Sequence, residues 1–228
     1  MKNLVSILLK RKKFSRVWDF PGFLTWTFIF FGFLYIPIVI LVIYSFNSSK
    51  FAMIWTGFSF RWYEKLLTND DMQQAALNSL YVAFVAAPCA TAIATITALV
   101  IVRGGSFKSR EFSNGLVTLP LMVPEIVTAV ATLIFFAFIG INLGLINVMI
   151  AHTVFCIPFA YLPISARLQG IEASYEEAAQ DLYANRWKTF RHVLMPIMGP
   201  GIISGFLLGF IISLDDFIIT NFVKGAGV

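Results

Sequence analysis

The sequence predicts an all-α integral membrane protein with five membrane-spanning helices. Of its 228 residues, 58% are hydrophobic and 13% are charged, and its mean hydropathy is +0.81. Soluble domains are about half apolar and about a quarter charged, and one buried core in a chain of this size needs far fewer apolar residues. This composition excludes a disordered chain, a nucleic-acid-binding arm and an ordinary cytosolic enzyme. The net charge of +5 comes from basic residues beside apolar runs, as in membrane proteins.

Five apolar stretches are long enough to cross a bilayer, whose hydrocarbon core of about 30 Å requires about 20 helical residues. They are predicted at residues 23–46, 80–102, 116–138, 143–164 and 201–223. The basic segment 1–22 precedes the first stretch, as in a signal peptide. That stretch is too long for a signal peptide, however, and no small-residue cleavage site follows it. We therefore expect an N-terminal segment 1–22 and a transmembrane domain 23–228.

The distribution of Lys and Arg predicts the orientation of these spans. Thirteen of the 17 basic residues lie in three segments, 1–22, 103–110 and 167–191. Alternation of the spans puts these segments on one side, and cytoplasmic loops carry the excess of Lys and Arg. We therefore expect a cytoplasmic N-terminus and an external end after span five, which suggests that the sequence is incomplete at Val228.

The first two connections between the predicted spans differ in length and character. The outer segment 47–78 is interpreted as an amphipathic or re-entrant piece, since Trp55, Trp62 and Tyr63 suit the membrane interface. The inner connection 104–115 is short and polar.

Prolines interrupt every predicted span except the last. They are Pro37, Pro88, Pro120, Pro124, Pro158 and Pro163. Proline bends a helix and frees a carbonyl group, which a membrane tolerates where neighbouring helices or a wet cavity satisfy it. Such kinks suit helices that enclose a path or move, although a static bundle can contain them too.

Small residues recur at helix-packing spacing in two spans. They are Gly201, Gly205 and Gly209 in span five and Ala90, Ala94 and Ala98 in span two. Such stripes let two helix backbones approach closely. Packing within this chain is the favoured interpretation, and a seam between subunits is the alternative.

Three carboxylates lie within apolar stretches, Glu125 in span three and Asp215 and Asp216 in span five. An ionised carboxylate at the bilayer centre costs about 2.5–3.5 kcal/mol, so it needs a wet cavity, a partner or a proton. Straight helices would put Glu125 roughly 13 Å and Asp215 roughly 21 Å from the cytoplasmic ends of their spans, at different depths. The spans contain no Lys or Arg, which favours a cationic ligand over an internal salt bridge. Hydrogen bonds to a neighbouring helix are the alternative.

The remaining reactive side chains carry little signal. Cys89 and Cys156 are interpreted as small packing residues, with no disulfide and no metal-ligand spacing. His152 in span four is more consistent with a hydrogen-bonded packing residue than with a proton relay.

The hydrophilic loop 167–200 is the most specific feature of the chain. Ser174 and Glu177 form a capping-box pattern that starts a short helix, and Ala178 and Ala179 provide a small-residue surface for docking. A basic cluster follows at Arg186, Lys188 and Arg191. Two short helices would make an amphipathic knob that fits a groove on a partner or lies on lipid headgroups.

Within this loop, the stretch EAAQDLYANRWKTFRHVLMP resembles the EAA loop of ABC-importer permease subunits, whose pattern is E-A-A-x3-G-x9-I-x-L-P. Glu177, Ala178, Ala179 and Pro196 match it, and Val193 and Met195 stand for the Ile and Leu. Tyr183 replaces the glycine, which costs about 1–2 kcal/mol if the position has a positive φ.

The stretches LPLMVPEIV and SLDDFIITNFV are similar to permease subunits of spermidine/putrescine importers, specifically the C-type subunit of the pair. The resemblance implies a type I permease fold in a bacterial inner membrane, with five of six expected spans in this sequence. It further implies a second homologous permease subunit, two copies of an ATPase docked on the EAA loops, and a periplasmic polyamine-binding protein. No nucleic acid is expected as a partner.

The implied function is transport without catalysis by this chain. It has no G-x-x-x-x-G-K-[ST] motif, so ATP and Mg²⁺ are expected on the separate ATPase and no cofactor or metal on this subunit. Movement of the EAA loop would switch the spans between inward-facing and outward-facing states. Polyamine would pass Glu125, Asp215 and Asp216, with Phe217 adding cation–π attraction of about 0.5–2 kcal/mol.

Two alternatives remain open from the sequence. The importer could carry another solute, such as a metal ion or sulfate, although carboxylates argue against anions. The chain could instead be a multispanning scaffold or sensor whose loop binds a different partner.

Overall fold

The computed structural model describes residues 22–51, 54–105 and 109–225. The predicted N-terminal segment, apart from Gly22, lies outside these residues, as do Lys108 and the end of the chain at Val228. The chain divides into two compact units, residues 1–70 and residues 71–228.

The described residues of the first unit form two helices, α1 (Phe23–Tyr44) and α2 (Arg61–Leu67). Helix α1 is the first predicted span, and none of its side chains is buried, as expected for a helix that is apolar on all sides. The Asn47 side chain, almost completely buried, organises the turn that follows: Nδ2 donates to Ile54 O at 2.7 Å and Oδ1 accepts from Thr56 N at 3.0 Å. Trp62 Nε1 donates to Asn47 O at 2.8 Å, so this tryptophan fixes the turn.

The second unit contains most of the spanning helices and several short ones. In chain order, its described helices are α3 (Asp70–Arg103), α4 (Arg110–Thr118), α5 (Glu125–Phe138), α6 (Leu145–Gln169), α7 (Ser174–Asp181), α8 (Arg186–Thr189), α9 (Met195–Asp215) and α10 (Ile218–Val223). Helix α3 begins ten residues before the predicted second span, so residues 70–78 are helical and do not belong to the irregular outer segment. Within the described residues, four helices can cross a bilayer, and the bent pair α4–α5 gives a fifth if it is one span.

The third predicted span is broken. Helix α4 leads into a 3₁₀ turn at Leu119–Leu121, and α5 then leaves at 103°. Proline explains the break, because Pro120 lies in the turn and Pro124 precedes α5 with an extended ψ of 134°. The prediction of one continuous helix over residues 116–138 is therefore wrong.

The last span is shifted towards the N-terminus. Helix α8 continues through a π-helical turn (Phe190–Leu194) into α9, so one rod runs from Arg186 to Asp215. Pro196, directly after the π-helical turn, and Pro200 both lie inside this rod. The prediction of a last span over residues 201–223 is therefore wrong at both ends, because the helix begins earlier and breaks at Asp216. The last span also contains prolines, contrary to the prediction.

Helices α6 and α9 pack together along the glycine stripe. A Cβ atom on Gly201 would lie 2.6 Å from Arg167 Cβ, and one on Gly205 would lie 2.8 Å from Ala160 O. At Gly209 the nearest atom, Cys156 Cβ, is 3.7 Å away. Close contact between α6 and α9 therefore depends on Gly201 and Gly205 having no side chain. The alanine stripe of α3 is also fully buried.

The two cysteines differ in environment. Cys156 is buried in the α6–α9 contact, as a packing residue would be, whereas Cys89 is exposed. The packing interpretation therefore holds for Cys156 and is wrong for Cys89.

Candidate functional site

The predicted carboxylates converge where α9 ends. Asp215 is the last residue of α9, Asp216 is extended with ψ of 114°, and Glu125 is the first residue of α5. The Glu125 carboxyl group lies in the neighbourhood of Asp216 and Asp215, close enough to interact with both electrostatically. The prediction of two depths is therefore wrong, because it assumed a straight third span and the break brings the start of α5 to Asp216.

Asp216 is held firmly by its surroundings. Its side chain is 1% exposed, its Oδ1 accepts from Ile219 N at 3.2 Å, and its Oδ2 accepts from Thr220 N at 3.3 Å. These bonds cap the first turn of α10, whose N–H groups would otherwise lack partners. Asp215 and Phe217, in contrast, are exposed.

His152, on α6, contacts the same carboxylate. Its Nε2 lies 2.9 Å from Asp216 Oδ2 and 2.8 Å from Thr220 Oγ1, and its Nδ1 lies 2.9 Å from Ser213 Oγ. The predicted spans contain no Lys or Arg, as expected, but Asp216 does have a side-chain partner inside the chain, the imidazole of His152. A histidine within a span was the signal for this contact.

A cavity of about 200 Å³ opens beside Asp216. Its polar lining consists of Asn78, Ser79, His152, Ser213, Asp216, Thr220 and Lys224, and Phe217 adds an aromatic ring. A larger cavity of about 430 Å³ lies at the break of the third span, and its polar side chains are limited to Thr128 and Thr132. Of these two cavities, the smaller one has a carboxylate and several hydroxyl groups in its lining, together with the ammonium group of Lys224. In the described residues, no group of three or more His, Cys, Asp or Glu side chains is arranged to hold a metal ion.

The predicted coupling loop forms a second candidate site, built on α7 and α8. Glu177 and Ala178 are exposed, whereas Ala179 is buried. Of the two alanines predicted for docking, Ala178 is therefore accessible, whereas Ala179 packs inside the subunit. The Pro196 end of the motif lies in the first turn of α9.

The capping box predicted at the start of α7 is absent. Ser174 Oγ donates to Glu172 Oε2 at 3.1 Å, and no side chain caps this helix. The cap that forms is at α8, where Asn185 Oδ1 accepts from Lys188 N at 2.8 Å. Asn at this position is a favoured N-cap, so the Asn185 signal was available in the sequence.

Helix α7 ends in a Schellman motif. Tyr183 N donates to Gln180 O at 2.9 Å and Ala184 N donates to Ala179 O at 3.0 Å. This motif requires a left-handed residue at its turn, and Tyr183 has a φ of 59° with a side chain that is 97% exposed. The suspected positive φ at this position is therefore present.

Arg103, at the end of α3, ties α7 to the spanning helices. Its Nη2 donates to Ile171 O at 2.6 Å and to Leu168 O at 3.3 Å, and its Nε pairs with Glu176 Oε1 at 3.1 Å. No local pattern indicates this contact, because Arg103 and its partners are more than 60 positions apart.

Comparison with known proteins decides the family. Residues 86–228 match the family model described as binding-protein-dependent transport system inner membrane component. The chain belongs to this family. Its resemblance to ABC-importer permease subunits is thereby confirmed, as is its class as an all-α, multi-pass inner-membrane protein.

Several relatives share most of the length of this chain. It is 40% identical to the spermidine/putrescine transport system permease protein PotC of Haemophilus influenzae, over 87% of this chain and 77% of the relative. It is 38% identical to PotC of Escherichia coli, over 90% and 76% of the two chains. It is 41% identical to the putrescine transport system permease protein PotI of Escherichia coli, over 86% and 72%. The chain is a transport subunit of this family and not an enzyme.

Proposed function

We propose that this chain is the permease subunit of an ATP-driven polyamine importer, and that Glu125, Asp215, Asp216 and Phe217 line the polyamine path. The single observation that carries the proposal is that Glu125 lies near Asp216 and Asp215 where α9 ends. Linear polyamines carry several ammonium groups joined by alkyl segments. Carboxylates compensate the charges, and an aromatic face attracts a desolvated ammonium group.

The three acids differ in what they can offer a passing ligand. Asp216 is committed to His152 and to the start of α10, whereas Asp215 is exposed. Among the ion pairs of the described residues, none involves Glu125 or Asp215. A polyamine would therefore exchange contacts between Asp215 and Glu125, with Asp216 as a fixed anionic centre. Binding has to remain moderate, because a tightly held ligand would not be released.

The exposed part of the coupling loop is proposed to dock on a separate ATPase. Glu177 and Ala178 present a polar and small surface, and the Schellman turn places Tyr183 beside it in full exposure. Two ATPase copies, a second homologous permease subunit and a periplasmic polyamine-binding protein complete the proposed assembly. ATP-driven closure of the ATPase would move α7, and Arg103 would carry that movement to the ends of α3 and α6.

Uptake of labelled spermidine and putrescine by the assembled importer in proteoliposomes tests the acidic path. Replacing both Asp215 and Asp216 by Asn should raise the KM for uptake by at least about tenfold, because two charge-assisted contacts are lost. The matched control replaces Asp70 and Asp71 by Asn. This second Asp pair is exposed at the start of α3 and does not line the cavity beside Asp216.

The control variant should keep the wild-type KM. Wild-type KM in the Asp215→Asn, Asp216→Asn variant would remove these acids from the path. If another labelled solute enters and competes with polyamine uptake, that solute would be the cargo. If no ATPase is recovered with the intact complex, a scaffold role would be favoured.

A further inference from the structure

We propose that His152 is the positioning residue for Asp216 and fixes this carboxylate in the geometry that a cationic substrate meets. The inference rests on the proposed polyamine path and adds to it a residue that does not need to touch the substrate. His152 is 1% exposed and lies on α6, whereas the residues that it contacts belong to α9, α10 and the break between them.

The contacts of His152 span the whole break. Nδ1 meets Ser213 in the last turn of α9, and Nε2 meets both Asp216 at the break and Thr220 in α10. The Asp216 N–H donates to Ile212 O at 3.0 Å and so closes α9. The Asp216 side chain is held separately, by the imidazole of His152 and by the first turn of α10.

The hydrogen-bond pattern determines which nitrogen faces the acid. A lone pair on Nε2 would point at Asp216 Oδ2 across 2.9 Å, and both atoms would be acceptors. Nε2 therefore carries the proton and donates. Ser213 Oγ, 2.9 Å from Nδ1, can donate to a neutral ring or accept from a charged one. The partner at Nδ1 thus fixes the tautomer of the imidazole ring and leaves Nε2 as the donor. The same effect occurs in metal-bound histidines, where a carboxylate or carbonyl group bonds to the nitrogen that does not bind the metal.

Without this donor, the Asp216 carboxylate would depend on its two contacts to the first turn of α10. The Asp216 carboxylate bonds to Ile219 N and Thr220 N through long contacts of 3.2 Å and 3.3 Å, so the 2.9 Å contact to His152 is the shortest of its hydrogen bonds with a measured distance. A charge-assisted bond of this length is stronger than a neutral one. Removing it should weaken substrate binding through Asp216 without altering the coupling machinery.

The test compares two substitutions of similar size in the assembled importer, with labelled spermidine as the probe. In His152→Gln the side-chain amide supplies a donor near the Nε2 position, whereas His152→Leu supplies none. We expect His152→Leu to raise the KM about tenfold with less than a twofold change in the maximal rate, and His152→Gln to stay within about threefold of wild-type KM. Thr153→Val is the matched control, since its hydroxyl bonds only to Met149 O within α6, and it should keep the wild-type KM.

A double-mutant cycle with Asp216→Asn separates positioning from a general structural role. If His152 acts through Asp216, adding His152→Leu to Asp216→Asn should change the KM by less than twofold. The double variant also leaves no buried charge unpaired, so it can be measured even if His152→Leu alone does not assemble. The inference would be overturned if His152→Leu raised the KM equally in the wild-type and Asp216→Asn backgrounds. Failure of the double variant to assemble, or equal KM values for His152→Gln and His152→Leu, would overturn it as well. A wild-type KM for Asp216→Asn would instead refute the proposed path itself.

Discussion

At Tyr183 a single side chain occupies a backbone conformation that glycine adopts more readily. The left-handed φ of 59° closes the Schellman motif of α7, and a non-glycine residue there costs about 1–2 kcal/mol. Because the ring is 97% exposed, packing of the side chain offsets little of this cost. The strain therefore lies in the segment that is proposed to contact the ATPase.

Replacing Tyr183 by Gly should stabilise the end of α7. Relief of about 1 kcal/mol would slow hydrogen exchange of the Ala184 amide, which donates to Ala179 O, by about fivefold. Mass spectrometry of the assembled complex in detergent can measure this. Tyr183→Ala is the control, because it removes the ring but retains the Cβ atom, and its exchange should stay near wild type. Equal slowing in both variants would assign the effect to the ring and not to φ.

Residue-level signals could be read from the sequence where they are local. The replacement of the motif glycine identified Tyr183, and an apolar environment identified the three acids, since both depend on neighbouring positions only. The bond between His152 and Asp216 joins residues 64 positions apart, and Ala179 points inward because of tertiary packing. Sequence spacing contains no information on such contacts, and one local signal, the capping pattern at Ser174, was overridden by Glu172.

At the scale of elements, Arg103 connects the ends of α3, α6 and α7. Its Nη2 donates to the carbonyl group of Leu168, in the last turn of α6, and to that of Ile171, just after α6. The pair with Glu176 is about a quarter exposed on both sides, so it contributes no more than about 1 kcal/mol. The carbonyl bonds are therefore the larger part of this connection.

Arg103→Gln should loosen α7 more than Glu176→Gln does. We expect amide exchange across α7 to become about tenfold faster in Arg103→Gln, which loses the ion pair and the two carbonyl contacts. In Glu176→Gln the acceleration should be at most about threefold, because only a partly exposed pair is lost. Arg110→Gln is the control, since Arg110 Nη2 makes only a 3.3 Å contact to Val102 O. Equal effects of all three substitutions would contradict a specific role for Arg103.

Helix existence was predictable for this chain, whereas helix bounds were not. Apolar length located every predicted span, because the bilayer sets that length. It could not resolve the break after Leu121, since apolar residues continue through it, or the start of the last rod at Arg186, where Pro196 and Pro200 suggested a loop. In both places the backbone geometry depends on how neighbouring helices accommodate a proline.

At the scale of the whole molecule, the asymmetric distribution of Lys and Arg predicts one orientation of the second unit. The coupling helices carry Arg186 and Lys188, both exposed, whereas the connection between α5 and α6 has no basic residue and exposes Asn142. The rule that cytoplasmic segments are basic places Lys188 inside and Asn142 outside. This orientation is also the one that the proposed docking of an intracellular ATPase on Glu177 requires.

Single cysteines at these two positions test the orientation. The exposed Cys89 is first replaced by Ser and the buried Cys156 by Ala, so that no native thiol can react. A membrane-impermeant maleimide added to intact spheroplasts should label Asn142→Cys and spare Lys188→Cys, and inside-out vesicles should give the opposite result. Disruption with detergent, as the control, should make both sites reactive. Labelling of Lys188→Cys from outside would invert the orientation, and the coupling loop could then no longer meet an ATP-hydrolysing partner in the cytoplasm.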